Sequence, residues 1–289
     1  MKDRGAGDPT PRHVSGSGGL EGSTPSIRSA VGLVVLVGFL YLVGGIPFQL
    51  AFGEVGLLLS QVLFMGLPPI VYCALRGYSL VRTFSIRLPT APQLAGGFVL
   101  LATGLVIAWF LAWAQSLVTP VPKEYVEAMA AFITADSPAR LLWLIILVAL
   151  VPAISEELVF RGVLLSGFRS RAPAYAAVIL TGLLFGLFHL SPATGFRVLP
   201  TAWMGMILAW VVIASGSLPL AIILHFANNA LIVVLASAAA TRGFITDTEA
   251  APPFLLLALA LGGFAWGLIL LGKPDAEALT RDSSGRWRS

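Results

Sequence analysis

The chain has 289 residues, of which 57% are hydrophobic and only 11% charged, with a formal net charge of +4. A soluble domain carries about a quarter charged residues, so a water-soluble globule is excluded and lipid is the expected solvent. The basic residues are dispersed between apolar stretches, which argues against nucleic acid as a partner, and the single cysteine, Cys73, excludes an intrachain disulfide or a multi-cysteine metal cluster.

Residues 1–26 are rich in glycine, proline and serine and hold no apolar run, so they are expected to form a disordered polar tail rather than a signal peptide. A helix needs about 20 mostly apolar residues to cross the hydrocarbon core. Stretches of that kind fall at 29–50, 55–75, 94–118, 139–163, 172–190, 198–214, 217–240 and 252–272. The expected fold is therefore an all-α polytopic transmembrane helix bundle of about eight spans over residues 27–272, followed by a polar tail at 273–289. Cys73 lies in an apolar stretch with no histidine nearby and is read as packing. The segment from Thr119 to Ser137 carries Glu124, Glu127 and Asp136 with Tyr125, Met129 and Phe132 between them, a pattern suited to lying along an interface. With the N-terminus inside, fourteen lysines and arginines fall on the cytoplasmic side and only Lys123, Arg140, Arg197 and Arg242 outside. That bias predicts both termini in the cytoplasm. Fifteen of the 18 basic residues are arginine, which hints at a GC-rich bacterial genome and hence a bacterial inner membrane.

Ionisable groups inside a span are costly and each asks for an explanation. Away from the interfaces these are Glu156, Glu157 and Arg161 on the fourth stretch, His189 ending the fifth, and His225 in the seventh, with Asn228 and Asn229 one turn beyond His225. Positions four apart share a helix face, so Glu157 and Arg161 form a natural ion pair. Glu156 points about 100° away and is left without a charged partner on its own helix, as suits a general base. His189 follows Glu156 by 33 residues, and the midpoint falls at Ala172-Pro173, where a turn between antiparallel helices is expected. Both residues then lie at one depth. His225 and Asn229, again four apart, can turn toward the same place. Taken singly, a buried histidine or asparagine serves more often as interhelical glue than in catalysis; together these groups point to one site.

Three blocks carry a resemblance: Glu156-Glu157-Leu158-Val159-Phe160-Arg161, Phe185-Gly186-Leu187-Phe188-His189, and His225-Phe226-Ala227-Asn228-Asn229. In order and placement they resemble the EExxxR, FxxxH and HxxxN motifs of the CPBP (CAAX protease and Abi) family, over about residues 139–235. That family includes type II CAAX prenyl endopeptidases, bacteriocin-immunity proteins and myxosortase-like enzymes that process C-terminal sorting tails. The resemblance implies that Glu156 activates water, His189 helps hold it, and His225 with Asn229 donates to the tetrahedral oxyanion. Glu157, Arg161 and Phe185 would support the helix geometry. It further implies a membrane protein or peptide as substrate, within the lipid bilayer and with or without an accessory protein. Metal dependence stays open: Glu156, His189 and His225 could form a two-histidine, one-carboxylate zinc set, while their origin on separate helices favours a reaction with no cofactor.

Other intramembrane chemistries fit poorly. No HExxH is present, no GxSG stands in a span, and all six aspartates lie outside the apolar stretches. A proton-coupled transporter would also bury glutamate and histidine, but no internal repeat supports it. A catalytically silent immunity or binding protein would keep the fold and tolerate loss of Glu156 or His189.

Overall fold

A computed structural model describes residues 23–191, 194–238, 240–241 and 252–272. Most of the N-terminal tail and all of the segment 273–289 lie outside the described residues. The described residues form helices and turns, with no strand among them. Nine helices are used below: α1 (27–52), α2 (54–75), α3 (Ala91–Ser116), α4 (Lys123–Ile133), α5 (Pro138–Arg169), α6 (Ala174–Phe188), α7 (Val198–Ser215), α8 (Leu218–Ser237) and α9 (Phe254–Leu271).

Among the described residues, six helical segments are long and apolar enough to cross a membrane. One of these, Ile27–Leu75, is 49 residues long and contains both α1 and α2. At Gly53 the backbone leaves helical geometry (φ 57°, ψ −127°), a conformation open to glycine because it has no Cβ. The chain folds back there. Gln49 Nε2 reaches Ser60 Oγ at 3.0 Å, and a Cβ on Gly56 would collide with the Phe48 carbonyl at 2.0 Å. α6 is shorter, at 15 residues, and so about 22 Å long.

Local sequence sets the ends of the rods. Thr90 and Gln93 cap α3 reciprocally, Ser137 caps α5 just before Pro138, and Ser217 caps α8. α7 stops at Gly216, which adopts a left-handed φ of 67°, so α7 and α8 are joined by one tight turn at Ser215-Gly216-Ser217. The expected interfacial segment is α4. Tyr125, Met129 and Phe132 are half-buried on it, while Lys123, Glu124 and Glu127 are exposed.

α5 runs through the middle of the bundle, touched by α1, α2, α6, α7 and α8, while α3 and α9 pack together at one side against α7. α6 and α7 meet through small residues. A Cβ on Gly205 would stand 2.9 Å from Gly182 Cα, so the two backbones are in contact. This contact brings a carbonyl of α7 within reach of a side chain from α5.

Candidate active site

The site grows out of irregularities in α5. Its regular turns are interrupted at Ile145–Leu150 and again at Leu158–Leu164, where the helix widens to bonds of the i→i−5 kind; Val151 N–H donates to Ile146 O and Leu165 N–H to Phe160 O. The first wide turn precedes Pro152, whose ring would otherwise press on the carbonyl four residues back. Wide turns in α1 and α2 likewise precede Pro47 and Pro68. The single regular stretch between the two interruptions of α5, Val151–Glu157, ends with both glutamates, and both are buried.

The two carboxylates face different surroundings. Glu157 Oε1 accepts from Arg161 Nη1 at 2.7 Å, and both side chains are completely buried. Arg161 Nη2 donates to the Gly205 carbonyl at 3.0 Å, and its guanidinium lies 4.3 Å from the centre of the Phe185 ring. Phe185 also stands edge-on to Phe160, His189 and His225. Breaking a buried pair of this kind by removing one partner leaves an uncompensated charge, at a cost of about 3–5 kcal/mol.

Glu156 opens onto two imidazoles. Its Oε2 lies 3.8 Å from His189 Nε2 and 3.9 Å from His225 Nε2. The other nitrogen of each ring is already committed. His189 Nδ1 is 2.9 Å from the Phe185 carbonyl, which can only accept, so Nδ1 carries the proton. His225 Nδ1 is 2.8 Å from Glu157 Oε1 and donates to it. In their neutral forms both histidines therefore turn an Nε2 lone pair toward Glu156. Separations near 3.8 Å exceed a direct hydrogen bond and leave room for a bridging water.

Glu156, Glu157, Arg161, Phe185, His189 and His225, all singled out from sequence, thus meet at one place, and the turn between α5 and α6 falls at 170–173. Asn229 sits one turn along α8 with a job of its own. Its Nδ2 donates at 3.3 Å to the Val148 carbonyl, the one that Pro152, lacking an N–H, cannot satisfy. Asn228 Nδ2 in turn donates to Asn229 Oδ1 at 2.8 Å. Sequence reasoning missed the Gly205 and Val148 carbonyls, because backbone acceptors leave no mark in residue type. It also passed over Glu54. At the α1–α2 turn, Glu54 accepts both Arg140 guanidinium nitrogens at 2.7 and 2.6 Å and Trp143 Nε1 at 2.7 Å. An unmatched glutamate between two apolar stretches was the available signal.

No group of three or more His, Cys, Asp or Glu among the described residues is arranged to hold a metal ion. The zinc set of Glu156, His189 and His225 does not fit as it stands, and no step below is routed through a metal.

Membrane-length helices enclosing two buried carboxylates and a buried histidine, with His189 half-buried beside them, define a polytopic membrane protein with a polar site among its helices. Residues 138–231, about a third of the chain, match the family model described as Rce1-like, type II CAAX prenyl endopeptidase Rce1-like. The match runs from the start of α5 into α8 and contains every motif residue. Over that segment the chain is similar to the Rce1-like type II CAAX prenyl endopeptidases. No curated protein and no solved structure matches it.

Proposed function

We propose that the chain is an endopeptidase that cuts near the C-terminus of a membrane-associated or lipidated protein, using water activated by Glu156. The carrying observation is the Glu156 carboxylate facing two Nε2 lone pairs across gaps of 3.8 and 3.9 Å. Water in that gap donates one hydrogen to Glu156 and the other to the Nε2 lone pair of one imidazole. Its oxygen attacks the scissile carbonyl and the proton settles on Glu156. Collapse of the tetrahedral intermediate reforms the carbonyl, breaks the C–N bond and returns the proton to the departing amine. Asn229 keeps one amide hydrogen free after serving Val148, and His225 becomes a donor at Nε2 once protonated. Either group can then meet the developing oxyanion.

Within this reading the helical rods are eight spans, both termini are cytoplasmic, and the host is a bacterial inner membrane. The fourteen-to-four charge bias supports the orientation. Among the described residues, the Glu54–Arg140 clamp joins the α1–α2 turn to the start of α5 and so places both on one side. The test compares membrane proteomes of cells carrying the unmutated chain or Glu156→Gln, by mapping new C-termini. A set of C-termini that vanishes with Glu156→Gln is expected. Identical maps, with the biological role retained, would mean a silent immunity-type protein.

A further inference from the structure

A second polar cluster lies outside the matched segment, in the α1–α2 hairpin. Gln49 Nε2 donates to Tyr41 Oη at 2.9 Å and to Ser60 Oγ at 3.0 Å, and Gln61 Nε2 reaches the same phenol oxygen at 3.4 Å. Ser60 is spent on the Leu57 carbonyl. With its amide nitrogen held there, Gln61 has Oε1 left over. That atom is buried and has no hydrogen-bond partner among the described residues, although the residue as a whole is only 6% exposed. An unpaired buried acceptor is destabilising, and lipid cannot satisfy it.

The position of the cluster suggests what could. Gln61 opens the wide turn Gln61–Gly66, and that turn packs directly on Val151–Glu157, the stretch that ends in both glutamates. The approach is tight: a Cβ on Gly66 would come within 2.9 Å of Ser155 Oγ, next to Glu156. A substrate segment lying at Glu156 would have to be unwound for its carbonyl to be attacked, which exposes backbone N–H groups inside the bilayer with no partner of their own. The missing donor on the protein and the missing acceptor on the substrate are complementary.

We propose that Gln61, oriented by Tyr41, is a substrate-anchoring residue: its Oε1 accepts a backbone N–H of the unwound substrate next to the scissile bond. The assignment rests on the protease reading of Glu156 but makes its own prediction about binding. Gln61 acts on the substrate backbone rather than on the reacting atoms, so it tolerates variety in substrate side chains while demanding an unwound strand.

The test measures binding to the full chain carrying Glu156→Gln in lipid nanodiscs. The probes are synthetic fluorescent peptides with a bilayer-length apolar stretch and a polar tail. In successive peptides one backbone amide at the junction is replaced by an ester, which removes a single N–H. One position in this scan should bind roughly tenfold more weakly than its neighbours, the loss expected for one buried hydrogen bond. Adding Gln61→Met should erase that dip and leave the other peptides as they were. Because the dip is a ratio within one variant, partial misfolding cancels. A flat scan, or a dip that persists with Gln61→Met, overturns the assignment. Cutting of the all-amide peptide by the chain with Glu156 intact is read separately. A dip without any cutting breaks the protease reading and leaves the anchor standing.

Discussion

Glu156 and Glu157 are neighbours in sequence and opposites in surroundings. Glu157 is enclosed, with Arg161 and His225 both donating to one oxygen and the Phe185 ring stacked on the Arg161 guanidinium. Glu156 has no hydrogen-bonded partner among the described residues and looks across an open gap at two rings. A helix turns about 100° per residue, so two identical side chains can be given two different tasks by one step along the chain. In the proposed mechanism the enclosed one fixes geometry and the open one reacts.

The sharpest way to break this comparison is to neutralise the open carboxylate. Glu156→Gln is expected to lower cleavage by at least about a thousandfold, within the range of a lost general base, while the protein accumulates in membranes as before. Quantified turnover beside an immunoblot checks it, and substantial residual activity would remove Glu156 from the chemistry. Neutralising the enclosed carboxylate should act on the other quantity. Glu157→Gln strands Arg161 in a dry site, and a loss of about 3–5 kcal/mol of stability is expected, read as lower abundance and earlier thermal unfolding in detergent. A stable but inactive Glu157→Gln protein together with an active Glu156→Gln protein would exchange the two roles.

A third variant sharpens the boundary between the tasks. Asn229→Ala removes the donor to Val148 and one proposed oxyanion donor together, so a drop of about a hundredfold to a thousandfold in kcat with little change in KM is expected. A change confined to KM would leave Asn229 as helix glue alone. The smallest expected effect is that of a chelator. Exhaustive zinc removal should leave turnover unchanged and metal content well under one ion per chain. Zinc lost and restored together with activity would instead make Glu156, His189 and His225 ligands.

Much of this was readable from residue types. Four-residue spacing named the Glu157–Arg161 pair, and equal distance from Ala172-Pro173 placed Glu156 opposite His189. What stayed hidden has physical causes. The reach of His225 to Glu157 depends on how α8 is rotated against α5, and no periodicity within α8 encodes a rotation relative to another helix. The Val148 carbonyl matters because of an N–H that Pro152 lacks. The Gly205 carbonyl matters because two glycines let α6 and α7 touch. The α1–α2 hairpin was counted as two spans with no link to the site, since an apolar stretch does not encode which helix it packs against. Only their placement against Val151–Glu157 gives them a bearing on it.

α6 ends in His189 after 15 residues, some 8 Å short of a hydrocarbon core about 30 Å thick. A rod that short creates a hydrophobic mismatch, which a bilayer can meet by a local dimple on the side where the rod ends. Such thinning would bring headgroups and water toward His189, and in the proposed mechanism the reacting water would then not have to cross a full leaflet. The dimple also makes lipid length a variable of the reaction. Turnover should fall in bilayers of long-chain lipids, where deforming the leaflet costs more, and rise in short-chain ones, without any change in the protein.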